Sequence, residues 1–231
     1  MKNIYLLSLI TLFFFACNEN TSTNENKNDA EQKETTNSES TSFNKYPIKA
    51  GIVKYLQNAM GEKTYINLYF KNYGTEECII SQIEIDGEKI NKRNIAKSGY
   101  LYSLEMTQKT GTKIKTNSNL SPYKTDLKIL EAKLTEDGGE KLGTEEILGK
   151  TCQIYSMNEN GANTKIWIWK TMILKKSTEQ NGMTMTMEAK SLEETSNLPK
   201  GIFDVPTDFT ITEEAEMDMD VDDFGDENAA G

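Results

Sequence analysis

The sequence contains no histidine, a single arginine (Arg93) and only four prolines. Because histidine is the commonest general base and metal ligand, its absence excludes Ser-His-Asp triads, Cys-His dyads and histidine-ligated zinc sites. The G-x-S-x-G nucleophile motif and the glycine-rich phosphate loops are also missing. A pair of carboxylates could still carry out glycoside hydrolysis, but the sequence singles out no such pair. We therefore expect a protein that is not an enzyme and needs no metal or cofactor.

Long apolar runs are scarce as well, and the longest is the twelve-residue stretch Ile4–Phe15 behind Lys2. A membrane-spanning helix needs roughly 20 apolar residues, so this run predicts a cleaved secretory signal instead. The Ala16-Cys17 junction resembles the lipobox of bacterial lipoproteins, in which the cysteine thiol is acylated and becomes the first mature residue. The alternative is an ordinary signal peptide with Cys17 incidental. We expect a signal peptide over 1–16 and a lipid anchor at Cys17 that holds the protein in the outer membrane, facing the periplasm.

The net charge of −10 resides in the two ends of the chain. Residues 18–44 have two apolar side chains, so 17–44 is predicted to be a lipidated cysteine followed by a disordered polar tether. Residues 45–212 carry 23 basic and 21 acidic residues and no basic stripe, which argues against a nucleic-acid partner. Residues 213–231 contain nine acids and no base. We interpret them as a disordered acidic tail, because their alternating aspartates fail the EF-hand pattern at Asp223 and Ala229.

Besides Cys17, the sequence has two cysteines, Cys78 and Cys152. In an oxidising compartment they form a candidate disulfide. The alternative is that each is a small buried apolar residue with a free thiol.

Apolar residues from 45 onward alternate with a period of two, which predicts strands. The clearest examples are 64–70, 165–169 and 183–189, and Asp86-Gly87 and Asn181-Gly182 are predicted hairpin turns. One amphipathic helix is predicted between Pro122 and Gly138, and a shorter helix near Thr144–Leu148. The expected fold is mainly β (α+β): an antiparallel, strongly curved sheet that forms an incomplete β-barrel, with one or two helices across its concave face.

Several segments resemble an uncharacterised family of secreted bacterial domains in the LolA/LolB-like superfamily of lipoprotein carriers. The resemblance covers nearly all of 45–212. It implies a half-barrel whose concave apolar face holds acyl chains beneath a lid. The carriers are described with a lid arginine, whereas Arg93 is expected on a turn. The similar segments, in order, are YFKNYGTEEC (69–78), KTGTKIK (109–115), EEILGKTCQIYS (145–156), KIWIWKTMILKK (165–176) and GIFDVPTDFTI (201–211).

Two functions follow from these expectations. In the first, the lipid-anchored domain binds a lipid or another apolar small molecule in the half-barrel. Methionine and tryptophan side chains would line the ligand site; the alternative is that they fill an ordinary core. In the second, the core is filled and a tyrosine-rich face formed by Tyr65, Tyr69 and Tyr155 binds another envelope protein. The candidate ligand-lining residues are Trp167, Trp169, Met172, Met183, Met185 and Met187.

Overall fold

The protein's structure, a computed structural model, describes residues 44–85, 88–116, 127–128, 131–132, 139–159 and 161–214. These residues belong to the compact unit Thr41–Met217. A short 3-10 turn covers Asn72–Gly74, and residues 127–128 and 131–132 are α-helical. The strands are β1 Gly51–Ala59, β2 Glu62–Lys71, β3 Glu76–Ile85, β4 Glu88–Lys97, β5 Tyr100–Glu105, β6 Thr110–Lys115, β7 Glu140–Ile147, β8 Lys150–Glu159, β9 Ala162–Trp169, β10 Met172–Gln180, β11 Met183–Glu194 and β12 Thr210–Glu214.

All twelve strands form one sheet in the order β12-β6-β5-β4-β3-β2-β1-β11-β10-β9-β8-β7. Most neighbours are consecutive antiparallel hairpins, and β11 returns to pair with β1. The chain then crosses six strands, from β1 to β6, and β12 pairs with β6 in parallel at the edge of the sheet. The sheet is curved and is not closed by hydrogen bonds, so its edges are β12 and β7. The expected mainly β, open barrel-like fold is thus confirmed.

Within the described residues, two-residue turns that end in glycine connect four of the hairpins. In each turn both residues have positive φ, as in Leu148 (53°) with Gly149 (69°) and Asn181 (52°) with Gly182 (75°). This type I′ geometry matches the twist of the flanking strands. The Asn181-Gly182 prediction is therefore confirmed, and Asp86-Gly87 lies outside the described residues. The other two turns are Met60-Gly61 and Ser98-Gly99.

The short helix predicted near Thr144–Leu148 is wrong. Residues up to Ile147 belong to β7 and pair with β8, with Ile147 opposite Lys150. Leu148-Gly149, where the predicted helix would end, is instead a two-residue turn that leads directly into β8. The longer helix predicted between Pro122 and Gly138 lies largely outside the described residues. Within it, Leu127 packs on the cluster formed by β8, β9 and β10.

Three apolar clusters form the core of the part of the chain that the structure describes. The largest joins the N-terminal residues 46–48 to β1, β2 and the strands β7–β11. The second is formed by β8, β9 and β10, and it includes Tyr155, Ile166 and Ile173. The third is formed by β3, β4 and β5 and is covered by residues 195–209, which link β11 to β12 and are called here the crossing segment.

Candidate functional site

The chain enters the sheet through a buried ion pair. Lys45 and Glu77 are 5% and 2% exposed, and Lys45 Nζ lies 2.6 Å from Glu77 Oε2. The Tyr46 hydroxyl donates a hydrogen bond to Glu77 Oε1. Gly74 permits this packing, because a Cβ there would lie 2.7 Å from the Tyr46 ring. The first residues of the domain are therefore bound to β3, at the point where residues 17–44 join the domain.

Arg93 occupies the face of the sheet beneath the crossing segment. It lies in β4, paired with Ile80 and Leu104, so its expected position on a turn is wrong. The sequence gives no clear indication of this strand, because the charged residues of β4 do not alternate regularly with apolar ones. From this position the guanidinium holds the crossing segment: Nη2 donates to the carbonyls of Gly201 (2.9 Å), Ile202 (2.5 Å) and Asp204 (3.0 Å).

The crossing segment and the sheet enclose a cleft of about 260 Å³. Its walls include Lys71, Glu76 and Phe203, and Lys71 Nζ lies 4.9 Å from the centre of the Phe203 ring. Leu198 and Ile202 add apolar surface. The volume is slightly below the roughly 300–1,000 Å³ typical of small-molecule pockets. A whole acyl chain would not fit in this cleft unless the crossing segment moved.

The candidate Cys78–Cys152 disulfide is absent from the structure, because both thiols are free and buried. Cys78 belongs to the cluster under the crossing segment, whereas Cys152 belongs to the largest cluster. Their strands, β3 and β8, are six positions apart in the sheet, or about 28 Å along its surface. A disulfide needs Cα atoms within about 7 Å. Burial raises the pKa of Cys152 to about 11 and that of Cys78 above its usual value, so both are inert thiols.

The six candidate ligand-lining residues do not come together around one pocket. Trp167 and Met172 are buried in the largest cluster, Trp169 is half-buried against it, and Met187 packs between two clusters. Met183 and Met185 are instead 47% and 40% exposed. The tryptophan and buried methionine side chains therefore fill a core.

Trp167 is further fixed by polar contacts. Its indole Nε1 donates to Glu145 Oε2 at 2.6 Å, and Lys175 Nζ lies 3.1 Å from Glu145 Oε1. The same ammonium lies 4.2 Å from the centre of the Trp167 ring. The indole hydrogen bond, with help from Lys175, lowers the pKa of Glu145, so the carboxylate stays ionised and keeps Trp167 in place.

The tyrosine-rich face expected for a protein partner does not form. Tyr65 is exposed, but Tyr69 packs under the crossing segment. Tyr155 is buried, and its hydroxyl donates to Glu131 in the helical residues at 3.1 Å. A group of exposed apolar side chains lies elsewhere, at the end of β1 and the start of β11.

We call that surface the Met patch: Met60, Met183 and Met185. Met60 is 68% exposed in the turn after β1, and Met185 pairs with Ala59, the residue before it. Gln57 Nε2 lies 3.9 Å from Met185 Sδ, on the adjoining strand. Exposed, flexible thioethers are typical of surfaces that adapt to protein partners. The Met patch is therefore the best candidate interface among the described residues.

Cys17 and the acidic tail from 215 onward lie outside the described residues. Within the described ranges, no three His, Cys, Asp or Glu side chains are grouped so as to hold a metal ion. No helix in the same ranges has the length and apolar character needed to cross a bilayer.

Comparison with known proteins finds similarity in fold only. No family model matches the chain, and no curated protein matches its sequence. The similar solved structures include an uncharacterized conserved protein from Thermus thermophilus, at a TM-score of 0.49 and 8% identity, which covers 72% of this chain and 91% of that one.

Two further solved structures are similar over about two thirds of this chain. A putative outer membrane lipoprotein-sorting protein domain from Vibrio parahaemolyticus has a TM-score of 0.32 and 9% identity, covering 68% of this chain and 89% of that one. LprF from Mycobacterium bovis has a TM-score of 0.35 and 7% identity, covering 65% and 89%. At these scores none of the similarities indicates a function for this chain.

Proposed function

We propose that the protein is a lipid-anchored lipoprotein of the cell envelope that acts by binding another envelope protein, without catalysis. The anchor is Cys17, acylated after cleavage behind Ala16, and the outer membrane facing the periplasm is the proposed location. Residues 18–44 would tether the folded domain at a distance on the order of 30 Å. The acidic tail is a solvated extension in this proposal.

The observation that carries the proposal is the distribution of the methionine and tryptophan side chains. Trp167 and Met172, which a ligand pocket would need at its wall, are packed inside the core. Met183 and Met185 are exposed next to Met60. The apolar surface available for binding therefore faces outward, where it suits a protein partner better than an enclosed lipid.

A second candidate function is binding of a small apolar ligand beneath the crossing segment. The cleft beside Phe203, with its apolar neighbours Leu198 and Ile202, favours it. Its limited volume makes it the weaker candidate, since a lipid chain could enter only if the three Arg93 hydrogen bonds opened.

Site-specific photocrosslinking in cells tests the protein-partner proposal. A photoreactive residue at Met185 is expected to form one discrete adduct with another envelope protein, because the side chain is exposed within the Met patch. The matched control is the same residue at Thr144, which is exposed on the edge strand β7. If position 185 gives no adduct, or the same adducts as position 144, the Met patch is not the interface.

A further inference from the structure

We propose that the end of the sheet where the tether joins the domain docks on an anionic lipid surface. We call this region the root end and define it by residues 45–50 and the turns at 72–74, 148–149 and 170–171. The proposal adds a second contact to the proposed lipid anchor and takes its cellular setting from it. The geometry of the root end is independent of the anchor.

One peptide group connects two of these turns. The Lys45 carbonyl accepts a hydrogen bond from Thr171 Oγ1 at 3.1 Å, and the Tyr46 N–H donates to the Tyr73 carbonyl at 2.9 Å. This carbonyl and this N–H belong to the same planar peptide unit, so Thr171 and Tyr73 lie on either side of the chain where it enters. The turns at 72–74 and 170–171 therefore flank the tether.

The third turn is connected through an aromatic ring. Lys150, directly after the Leu148-Gly149 turn, places its Nζ 4.8 Å from the centre of the Trp169 ring. Lys170 Nζ lies 5.3 Å from the same ring centre. The three turns and residues 45–50 thus form one continuous surface at one end of the sheet.

The chemistry of this surface suits a lipid interface. Leu148 is 42% exposed, Tyr73 is 36% exposed and Trp169 is half-buried between two lysines. Aromatic side chains prefer the headgroup level of a bilayer, and lysines bind anionic headgroups while their stems cover apolar surface. Within the described ranges Lys150 and Lys170 have no carboxylate partner, so their charge is available to lipid phosphates.

Two of the acids at this end are paired with other lysines. Glu77 is buried against Lys45, and Glu76 is paired with Lys71 at 3.0 Å. Three further acids are exposed on the strands beside the turns: Glu146 opposite Thr151, Glu193 opposite Ile52, and Glu194 opposite Gly51. None of these three forms an ion pair with Lys150 or Lys170.

The root end also fixes which end of the domain is nearest the membrane. Residues 18–44 connect Cys17 to Lys45, and Lys45 is held against β3 by its ion pair with Glu77. A tether of that length keeps the root end at a high local concentration near the bilayer, so weak contacts suffice. The Met patch, at the opposite end of β1, would then point away from the lipid toward a partner.

Flotation with lipid vesicles tests the proposal on the mature-length chain 17–231 carrying Cys17→Ser, which cannot be acylated. We expect binding to phosphatidylcholine vesicles containing about 30% phosphatidylglycerol, and much weaker binding without the anionic lipid. Lys150→Gln with Lys170→Gln should weaken binding roughly 30-fold. The control, Lys63→Gln with Lys89→Gln, changes the net charge equally with lysines at the opposite end and should leave binding unchanged.

A second variant tests the apolar contribution without disturbing the fold. Leu148 and Tyr73 have φ of 53° and 58°, a conformation that asparagine tolerates well. Leu148→Asn with Tyr73→Asn should therefore keep the domain folded and weaken vesicle binding by roughly tenfold.

The proposal is overturned if the chain ignores anionic vesicles, if both root-end variants float like the parent, or if the control pair weakens binding as much. Dimerisation through the same four residues without flotation would assign the surface to a second copy instead. Because the tested chain is unacylated, these results do not depend on the anchor. An unmodified Cys17 in cells would remove the anchor and leave the vesicle result standing.

Discussion

Glu77→Gln is expected to lower the free energy of unfolding by about 3–5 kcal/mol. The carboxylate is 2% exposed and binds both the Lys45 ammonium, at 2.6 Å, and the Tyr46 hydroxyl. A neutral amide removes this counter-charge from the buried ammonium, and the resulting penalty is much larger than the net value of the pair itself. Urea unfolding of chain 17–231 carrying Cys17→Ser measures the change.

The neighbouring residue supplies the control. Glu76 forms a partly exposed ion pair with Lys71 at 3.0 Å, so Glu76→Gln should cost less than about 1 kcal/mol. Adding Lys45→Met to Glu77→Gln should recover part of the loss, since the buried ammonium is then removed as well. If Glu76→Gln and Glu77→Gln lowered the free energy of unfolding equally, the buried ion pair would not be what holds the domain's first residues in place.

Arg93→Met is expected to cost about 2–4 kcal/mol and to loosen the crossing segment in particular. The guanidinium is a charged donor to three carbonyls, those of Gly201, Ile202 and Asp204, and methionine can replace only its apolar stem. Hydrogen exchange should show amides of residues 196–209 opening well before those of β1 and β2.

Lys97→Gln is the matched change on the same segment. Lys97 lies 3.6 Å from Asp204, whose side chain is largely exposed, so its loss should cost less than about 1 kcal/mol and leave exchange unaltered. If Arg93→Met unfolds the whole sheet without any separate opening of residues 196–209, the guanidinium does not stabilise that segment in particular.

Local chemistry makes much of the fold predictable. In strands such as β2 and β9 successive side chains alternate between the two faces of the sheet. Each face has its own set of residue types, because the two faces pack against different parts of the protein. Strands β4, β7 and β12 are not predicted, since their charged residues conceal the period of two. The Leu148-Gly149 turn resembles the end of a helix in sequence, because leucine rarely adopts the positive φ that it has there.

The site is less predictable than the fold. Lys45 meets Glu77 across 32 positions in sequence, and Arg93 meets Ile202 across 109, so neither contact has a local signal. The alternation of Met183, Met185 and Met187 locates a strand correctly. The same alternation cannot show that Met183 and Met185 lie beyond the edge of the core. Their burial depends on which side chains the neighbouring strands and the helix cover.

The proposed functions assign a different task to each end of one sheet. The root end holds the tether and faces the lipid, and the Met patch at the opposite end faces a partner. Between them, Trp167, Met172 and Phe70 fill the interior. Binding at both ends would let the domain bridge the membrane and a second envelope protein without enclosing a ligand.

Native mass spectrometry of the full protein released from membranes with mild detergent tests this account most directly. We predict the mass of residues 17–231 plus covalent acyl chains on Cys17, with no further apolar molecule bound in stoichiometric amount. A stoichiometric non-covalent lipid that is retained by the folded domain would contradict the filled core, and an unmodified Cys17 would contradict the anchor.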